Sequence, residues 1–254
     1  CKDDIETHDV MVELNMFLLQ ALADWPVTPL MYFSKPNQTI QYVGIGSWAM
    51  MDNREAQEFL NETPSKKIHL FGGNAFNKTI PSSDWQAECW VLPKIMIIQT
   101  TTETVCRFIF DKRQKENTWK CLEKVLQQLC QKQLSGHQKQ DYQSLDHHPN
   151  KEDWEKAIGR VTKDMANRPL KKVVLARETW VSFPKQVNPF LMMSEIQEND
   201  PKLFHFVVKL SGHSAFIGGT PERLFELTGQ EVESEAIAGT VKNVPGNSEL
   251  LSQE

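Results

Sequence analysis

The second half of the chain constrains the fold most. Residues 172–176, 203–210, 214–217, 223–227 and 231–237 each form a short run that suits a β-strand. The segments between them are mostly short turns with Gly and Asn or Asp. Strand–turn–strand runs without intervening helices pair as antiparallel neighbours. The expected class is therefore α+β, built on an antiparallel sheet. No internal repeat is present.

The first half mixes both periods. Val10, Leu14, Phe17, Leu18 and Leu22 fall at helical spacing, which predicts an amphipathic helix over 10–24, broken by Pro26 and Pro29. Residues 30–33 and 39–45 read as a hairpin turning at Lys35-Pro36-Asn37-Gln38. A short helix is expected over 53–60, and strands over 67–71, 89–91, 94–99 and 105–110. Trp119, Leu122, Leu126 and Leu129 make one stripe of a helix over 114–132. Residues 134–150 are polar and turn-rich and read as a surface loop. A further helix follows, capped by Asn150, with Trp154, Ile158, Val161 and Met165 on one face.

Composition narrows the function classes. At 254 residues, 40% hydrophobic and 24% charged, the chain can bury a sizeable core. Mean hydropathy is −0.46 and no apolar run approaches the length that spans a bilayer, so no membrane partner is expected. A net charge of −5 disfavours a nucleic-acid partner, which needs a basic face, so none is expected. The acidic, polar start shows no signal peptide. The five cysteines (Cys1, Cys89, Cys106, Cys121 and Cys130) include no C-x-x-C pair, which points to reduced thiols and a cytoplasmic setting. The sequons at Asn37, Asn61 and Asn77 are read as unmodified on the same ground. Oligomeric state is not readable.

Several motifs carry possible chemistry. Gly44-Ile45-Gly46-Ser47-Trp48-Ala49 fits a dinucleotide fingerprint, with Glu62 at a suitable distance. That fingerprint works only inside a βαβ unit of a parallel sheet, and the bulky Trp48 and the later antiparallel strands argue against it. His147-His148 lies in the polar stretch, where a solvated loop is the expected reading. Lys171-Lys172-Val173-Val174-Leu175-Ala176-Arg177 places a lysine at the start of an apolar strand. Snorkelling at a strand edge would account for that on spacing alone. Phe216-Ile217-Gly218-Gly219-Thr220-Pro221-Glu222-Arg223-Leu224 has two glycines that permit close approach, and presents Glu222 at the exit of the turn. Glu235-Ala236-Ile237-Ala238-Gly239-Thr240 puts small residues and a hydroxyl at a strand end, where backbone N–H groups could hold a carboxylate. Singly, each of the last two could be a plain turn.

Taken in order, these three segments resemble the chorismate-utilising enzymes, and within them the isochorismate synthases. The family carries a K-V-V-L-[AS]-R strand, a G-x-[ST]-P-E turn and an [IL]-A-G-T strand end. Here fifty positions separate Lys172 from Glu222, and eighteen separate Glu222 from Thr240. His69-Leu70-Phe71-Gly72-Gly73-Asn74-Ala75-Phe76, Trp85 and Val91-Leu92-Pro93-Lys94 resemble the family's F-G-G-x-x-F and W…LP[KR] stretches. The resemblance is weakest over 112–150.

The resemblance implies an antiparallel sheet sandwich surrounded by helices, and a Mg2+-dependent conversion of chorismate to isochorismate. Water adds at ring C2 while the C4 hydroxyl leaves. By resemblance Lys172 is the general base and Glu222 the general acid, with Ala238, Gly239 and Thr240 binding substrate. Lys172 would then have to be partly neutral and Glu222 protonated. Val173 and Val174 could desolvate the lysine. The ammonia-using relatives lack this lysine. Salicylate synthases keep it and stand as an alternative, with other chorismate-utilising enzymes, as does a non-catalytic truncated chorismate-binding protein. The family's magnesium-binding acids lie in a K-[DE]-x-x-E-H helix that residues 250–254 resemble the approach to. The resemblance thus implies that residues 1–254 are the N-terminal and central part of a single chorismate-binding domain, with the C-terminal part, including the metal ligands, beyond Glu254.

Overall fold

The computed structural model describes residues 5–12, 18–23, 25–63, 67–76, 86–111 and 141–235. They fall in two compact units, Cys1–Leu134 with Pro189–Glu254, and Ser135–Asn188. The helix expected over 114–132 lies outside the described residues.

The first unit is built on a seven-stranded sheet. Its order is β1 (Ile5–Met11), β8 (Thr104–Asp111), β7 (Ile95–Thr100), β3 (Ile40–Ile45), β2 (Leu30–Ser34), β11 (Phe204–Lys209) and β12 (Phe216–Thr220). Every neighbouring pair is antiparallel, as the α+β reading expects. Strands alternate their faces, and both faces of this sheet are covered. On one side lie α1 (Leu18–Leu22) and α4 (Pro189–Asn199). They bury Leu22, Phe190 and Met193 against Tyr32, Ile97 and Phe108. On the other side lie β4 (Ala49–Met51), β6 (Glu88–Leu92) and β5 (Phe71–Asn74), paired in that order, and α2 (Asn53–Glu62). Phe59 and Leu92 pack there on Ile109, and Val91 on Met31.

The local signals explain several of these elements. The β2–β3 hairpin turns at Pro36–Gln38, where Asn37 and Gln38 take positive φ of 53° and 54°. Helix α2 opens with a capping box, in which Asp52 accepts from the Glu55 N–H at 2.8 Å and Glu55 accepts from the Asp52 N–H at 3.0 Å. Gly44 lies inside β3, followed by β4 and not by a helix. A Cβ there would stand 2.7 Å from Met31 and 2.8 Å from Phe71. The fingerprint glycine therefore makes room for packing in an antiparallel sheet.

Three expectations are corrected. Residues 10–24 are not one helix: β1 runs to Met11, and only Leu18–Leu22 is helical among the described residues. Bidentate contact between Asp9 and the buried Arg107, at 2.7 and 3.0 Å, ties β1 to β8 across the sequence. The helix α4 stands where short turns were expected. Its apolar residues form no single stripe, and both Phe190 and the polar Gln197 are buried. Residues 134–150 are not all loop, because β9 (Ser144–His148) pairs with β10 (Glu178–Ser182).

The helix-covered face of the large sheet also holds a buried polar row. His205, Ser34, Gln41, Gln99 and Thr104 are successive cross-strand partners from β11 to β8, all buried except the half-buried Gln99. Gln197 of α4 donates to the Tyr32 hydroxyl (2.8 Å) and to Ser34 Oγ (3.1 Å). Tyr32 donates to Gln41 (2.7 Å), and Gln41 to Gln99 (2.8 Å). A slip of one residue would turn these groups to the opposite face, so the row specifies register.

His205 is fully buried in this row. Burial pulls its imidazole below the ordinary 6.5, while Asp200 acts in the opposite direction. Burial also lowers His69. As pH falls below 6.5 the unfolded chain takes up protons that the folded chain refuses. The stability these groups contribute is present above that pH and is lost below it. The expected result is a melting temperature that declines from pH 7 to pH 5, with a shallower decline in His205→Gln. Parallel curves for the two proteins would contradict this.

The second unit holds β9, β10 and α3 (Lys151–Asn167). Asn150 caps the helix as expected, accepting from the Asp153 N–H at 2.9 Å.

Candidate active site

The hairpin β11–β12 carries the Gly-Gly-Thr-Pro-Glu motif to its place. Gly218 is required by packing, since a Cβ there would meet the Phe206 ring at 2.3 Å. That ring in turn lies 5.3 Å from the Phe216 ring. The glycine thus admits a side chain from the neighbouring strand. At the end of β12, Thr220 Oγ1 accepts from the Glu222 N–H (3.4 Å) and donates to the Glu222 carbonyl (3.3 Å). This hydroxyl turn fixes the backbone of Glu222, whose side chain is exposed.

The residue after it organises the surroundings. The Arg223 backbone N–H donates to Glu235 Oε2 at 2.6 Å. Its guanidinium pairs with Glu226, with Glu233 at 3.2 Å and with Glu235 at 3.3 Å. Glu226, which opens β13 (Glu226–Thr228), also receives Lys35 at 2.6 Å. Lys35 first, and Arg223 after it, hold the Glu226 carboxyl below its ordinary value. Ser234 Oγ adds a bond to the Leu224 carbonyl at 2.9 Å. The turn that presents Glu222 and the segment that enters 236–240 are thereby brought together. Ala238, Gly239 and Thr240 themselves lie outside the described residues.

Sequence reasoning singled out Glu222 in this motif and passed over Arg223, around which the structure gathers these carboxylates. The available signal was a lone arginine followed by Glu226, Glu231, Glu233 and Glu235 within thirteen positions.

Lys172 lies in the second unit, in a segment between α3 and β10 that forms no regular structure. The strand expected over 172–176 is not formed. A strand needs a partner for its backbone groups, and β10 begins only at Glu178, paired to β9. Lys172 is exposed, and Val174 is 82% exposed. Among the described residues, Val173 and Val174 do not bury Lys172. Nor is His147-His148 in a loop. Both are exposed on β9, where adjacent side chains point to opposite faces. His147 contacts Thr179 at 2.9 Å, and His148 contacts Asp146 at 3.0 Å.

Among the described residues, no three His, Cys, Asp or Glu side chains are grouped to hold a metal ion. Glu226, Glu233 and Glu235 are engaged by Lys35 and Arg223. The described residues thus do not fit a Mg2+ site, which needs near-octahedral oxygen ligands. No described helix is long and apolar enough to cross a membrane.

A family profile described as chorismate binding enzyme matches residues 6–249. The chain belongs to the chorismate-binding enzymes. Among related proteins, isochorismate synthase MenF of Escherichia coli (strain K12) is 38% identical over 103 residues, 41% of this chain and 24% of that protein. Isochorismate synthase MenF of Haemophilus influenzae is 28% identical over 198 residues, 78% of this chain and 43% of that protein. The solved structure of MenF, the menaquinone-specific isochorismate synthase from Escherichia coli, superposes with a TM-score of 0.80 at 24% identity, over 98% of this chain and 57% of that one. The chorismate-binding fold is thereby shared, and the α+β expectation holds. The chain spans about half the length of the curated relatives it matches, or less.

Proposed function

We propose that the protein is an isochorismate synthase, acting on chorismate by adding water at C2 and releasing the C4 hydroxyl. The observation that carries this reading is the family match over 6–249 in a chain that retains both Lys172 and Glu222 at the family's motif spacing. Lys172 takes a proton from the attacking water as the C2–O bond forms. Electrons move through the ring diene toward C4, and Glu222 gives its proton to the departing hydroxyl as the C4–O bond breaks. One water enters and one leaves, so the product is an isomer. Lys172 ends protonated and Glu222 ionised, and exchange with solvent restores both. Ala238, Gly239 and Thr240 are the substrate-binding segment in this reading. Mg2+ is the cofactor that the family resemblance implies, and no step is routed through it.

The solved MenF structure is that of a menaquinone-specific enzyme, which supports a place in menaquinone biosynthesis, and the free Cys89 and Cys106 fit a cytoplasmic setting. The test is to incubate the full-length gene product with chorismate and Mg2+ and to separate the products. Isochorismate alone is expected. Salicylate with pyruvate would mark a salicylate synthase. Binding of chorismate without turnover would mark a non-catalytic protein.

A further inference from the structure

We infer that Arg223 is a positioning residue for the general acid, clamping the Glu222 turn to the segment that enters 236–240. The inference rests on the proposed reaction and deepens it. Its basis is the double use of Glu235. One oxygen of that carboxylate accepts the Arg223 backbone N–H at 2.6 Å, one peptide bond from Glu222. The other pairs with the guanidinium at 3.3 Å. The arginine is thus held to Glu235 at both backbone and side chain.

The clamp has an anchor. The guanidinium also pairs with Glu226, and Glu226 pairs with Lys35, which directly follows β2. The chain Glu235–Arg223–Glu226–Lys35 therefore joins the mouth of the candidate site to the large sheet. A planar fork of five donors suits this arrangement, because it can serve several carboxylates at once in fixed geometry. The side chain is 17% exposed, so the pairs are only partly screened by water. The exposed Glu222 carboxyl has no described partner of its own. Its placement depends on its backbone, which Thr220 holds on one side and the Arg223–Glu235 bond on the other.

The geometry separates two substitutions of one residue. Glu235→Gln keeps an oxygen that can accept the backbone N–H and removes the charge. Glu235→Ala removes both. In the full-length gene product, Arg223→Met and Glu235→Ala are each expected to lower kcat by about 10–100-fold, the scale of a small misplacement of a reacting group. KM for chorismate should change much less. Glu235→Gln should keep most of the turnover, whereas Arg223→Lys, which lacks the planar fork, should recover little of what Arg223→Met loses. The Arg223→Met/Glu235→Ala double variant should be little worse than either single one, since the two residues act as one unit.

Backbone hydrogen exchange of the peptide covering 216–235 is measured alongside. It should rise in Glu235→Ala and stay near the original level in Glu235→Gln. An inactive original protein with this exchange pattern would remove the reaction assignment and leave the clamp. Unchanged kcat in folded Arg223→Met and Glu235→Ala, or losses that simply multiply in the double variant, would overturn the inference. Should Arg223→Met fail to fold, the Gln and Ala variants at 235 decide by the same criteria.

Discussion

Lys172→Ala in the full-length gene product is expected to lower kcat for isochorismate formation by about 10²–10⁴-fold, the usual scale for loss of a general base. The melting temperature should hardly move. Lys172 is exposed in a segment without strand pairing, and such surface positions change stability by about 0.5 kcal/mol or less. Loss of turnover could not then be blamed on unfolding. Glu222→Gln is expected to act on the same scale, since it keeps the side chain's size and removes its acidic proton. Its backbone is held by Thr220 whichever side chain is present. Product formation by chromatography, with a thermal melt on each sample, checks both. Full activity in Lys172→Ala would remove the lysine from the mechanism.

A large structural effect is expected at one glycine and not at its neighbour. Gly72 of β5 faces β6 so closely that a Cβ would stand 2.2 Å from the Cys89 carbonyl oxygen and 2.8 Å from Trp90 Cα. Those are backbone atoms of a paired strand and cannot turn aside as a side chain can. Gly72→Ala should therefore cost about 3 kcal/mol, the upper part of the usual range for overpacking. At Gly73 a Cβ would meet nothing within 4 Å, so Gly73→Ala should stay within about 0.5 kcal/mol of the original. Chemical denaturation of the two variants side by side tests the contrast. Equal stabilities would show that β5 does not lie against β6 in this way. The F-G-G stretch that carries the family resemblance thus contains one glycine needed for packing and one that the described contacts leave unexplained.

Much of the fold was legible because its signals are local. The hairpin of β2 and β3, the capped helix α2 and the Asn150-capped α3 all follow from turn residues, caps and periodicity within a few positions. Where a partner lies far along the chain, the reading failed. Val10 fits a helical stripe with Leu14, yet it belongs to β1, which pairs with β8 about a hundred positions away. Helix α4 has no apolar stripe to betray it, because its environment accepts both Phe190 and Gln197. The run 172–176 has strand-like composition and no described partner, so it stays irregular.

The same division runs through the site. The identities and spacing of Lys172, Glu222, Ala238, Gly239 and Thr240 come from sequence alone, and so does the family they resemble. Arg223 was passed over, because its role depends on Glu226, Glu233, Glu235 and Lys35 arriving around it.

Sequence by itself determined the antiparallel α+β class, since the short turns of hairpins such as β2–β3 and β11–β12 leave consecutive strands no other way to pair. It also supplied the residue types that the proposed chemistry uses. Tertiary structure alone decided which strands became neighbours, which polar groups line up from His205 to Thr104, and which arginine bonds to Glu235 beside the turn bearing Glu222. The physical reason is that register and ion pairing join residues far apart in the chain. No local pattern encodes them until the whole sheet has closed.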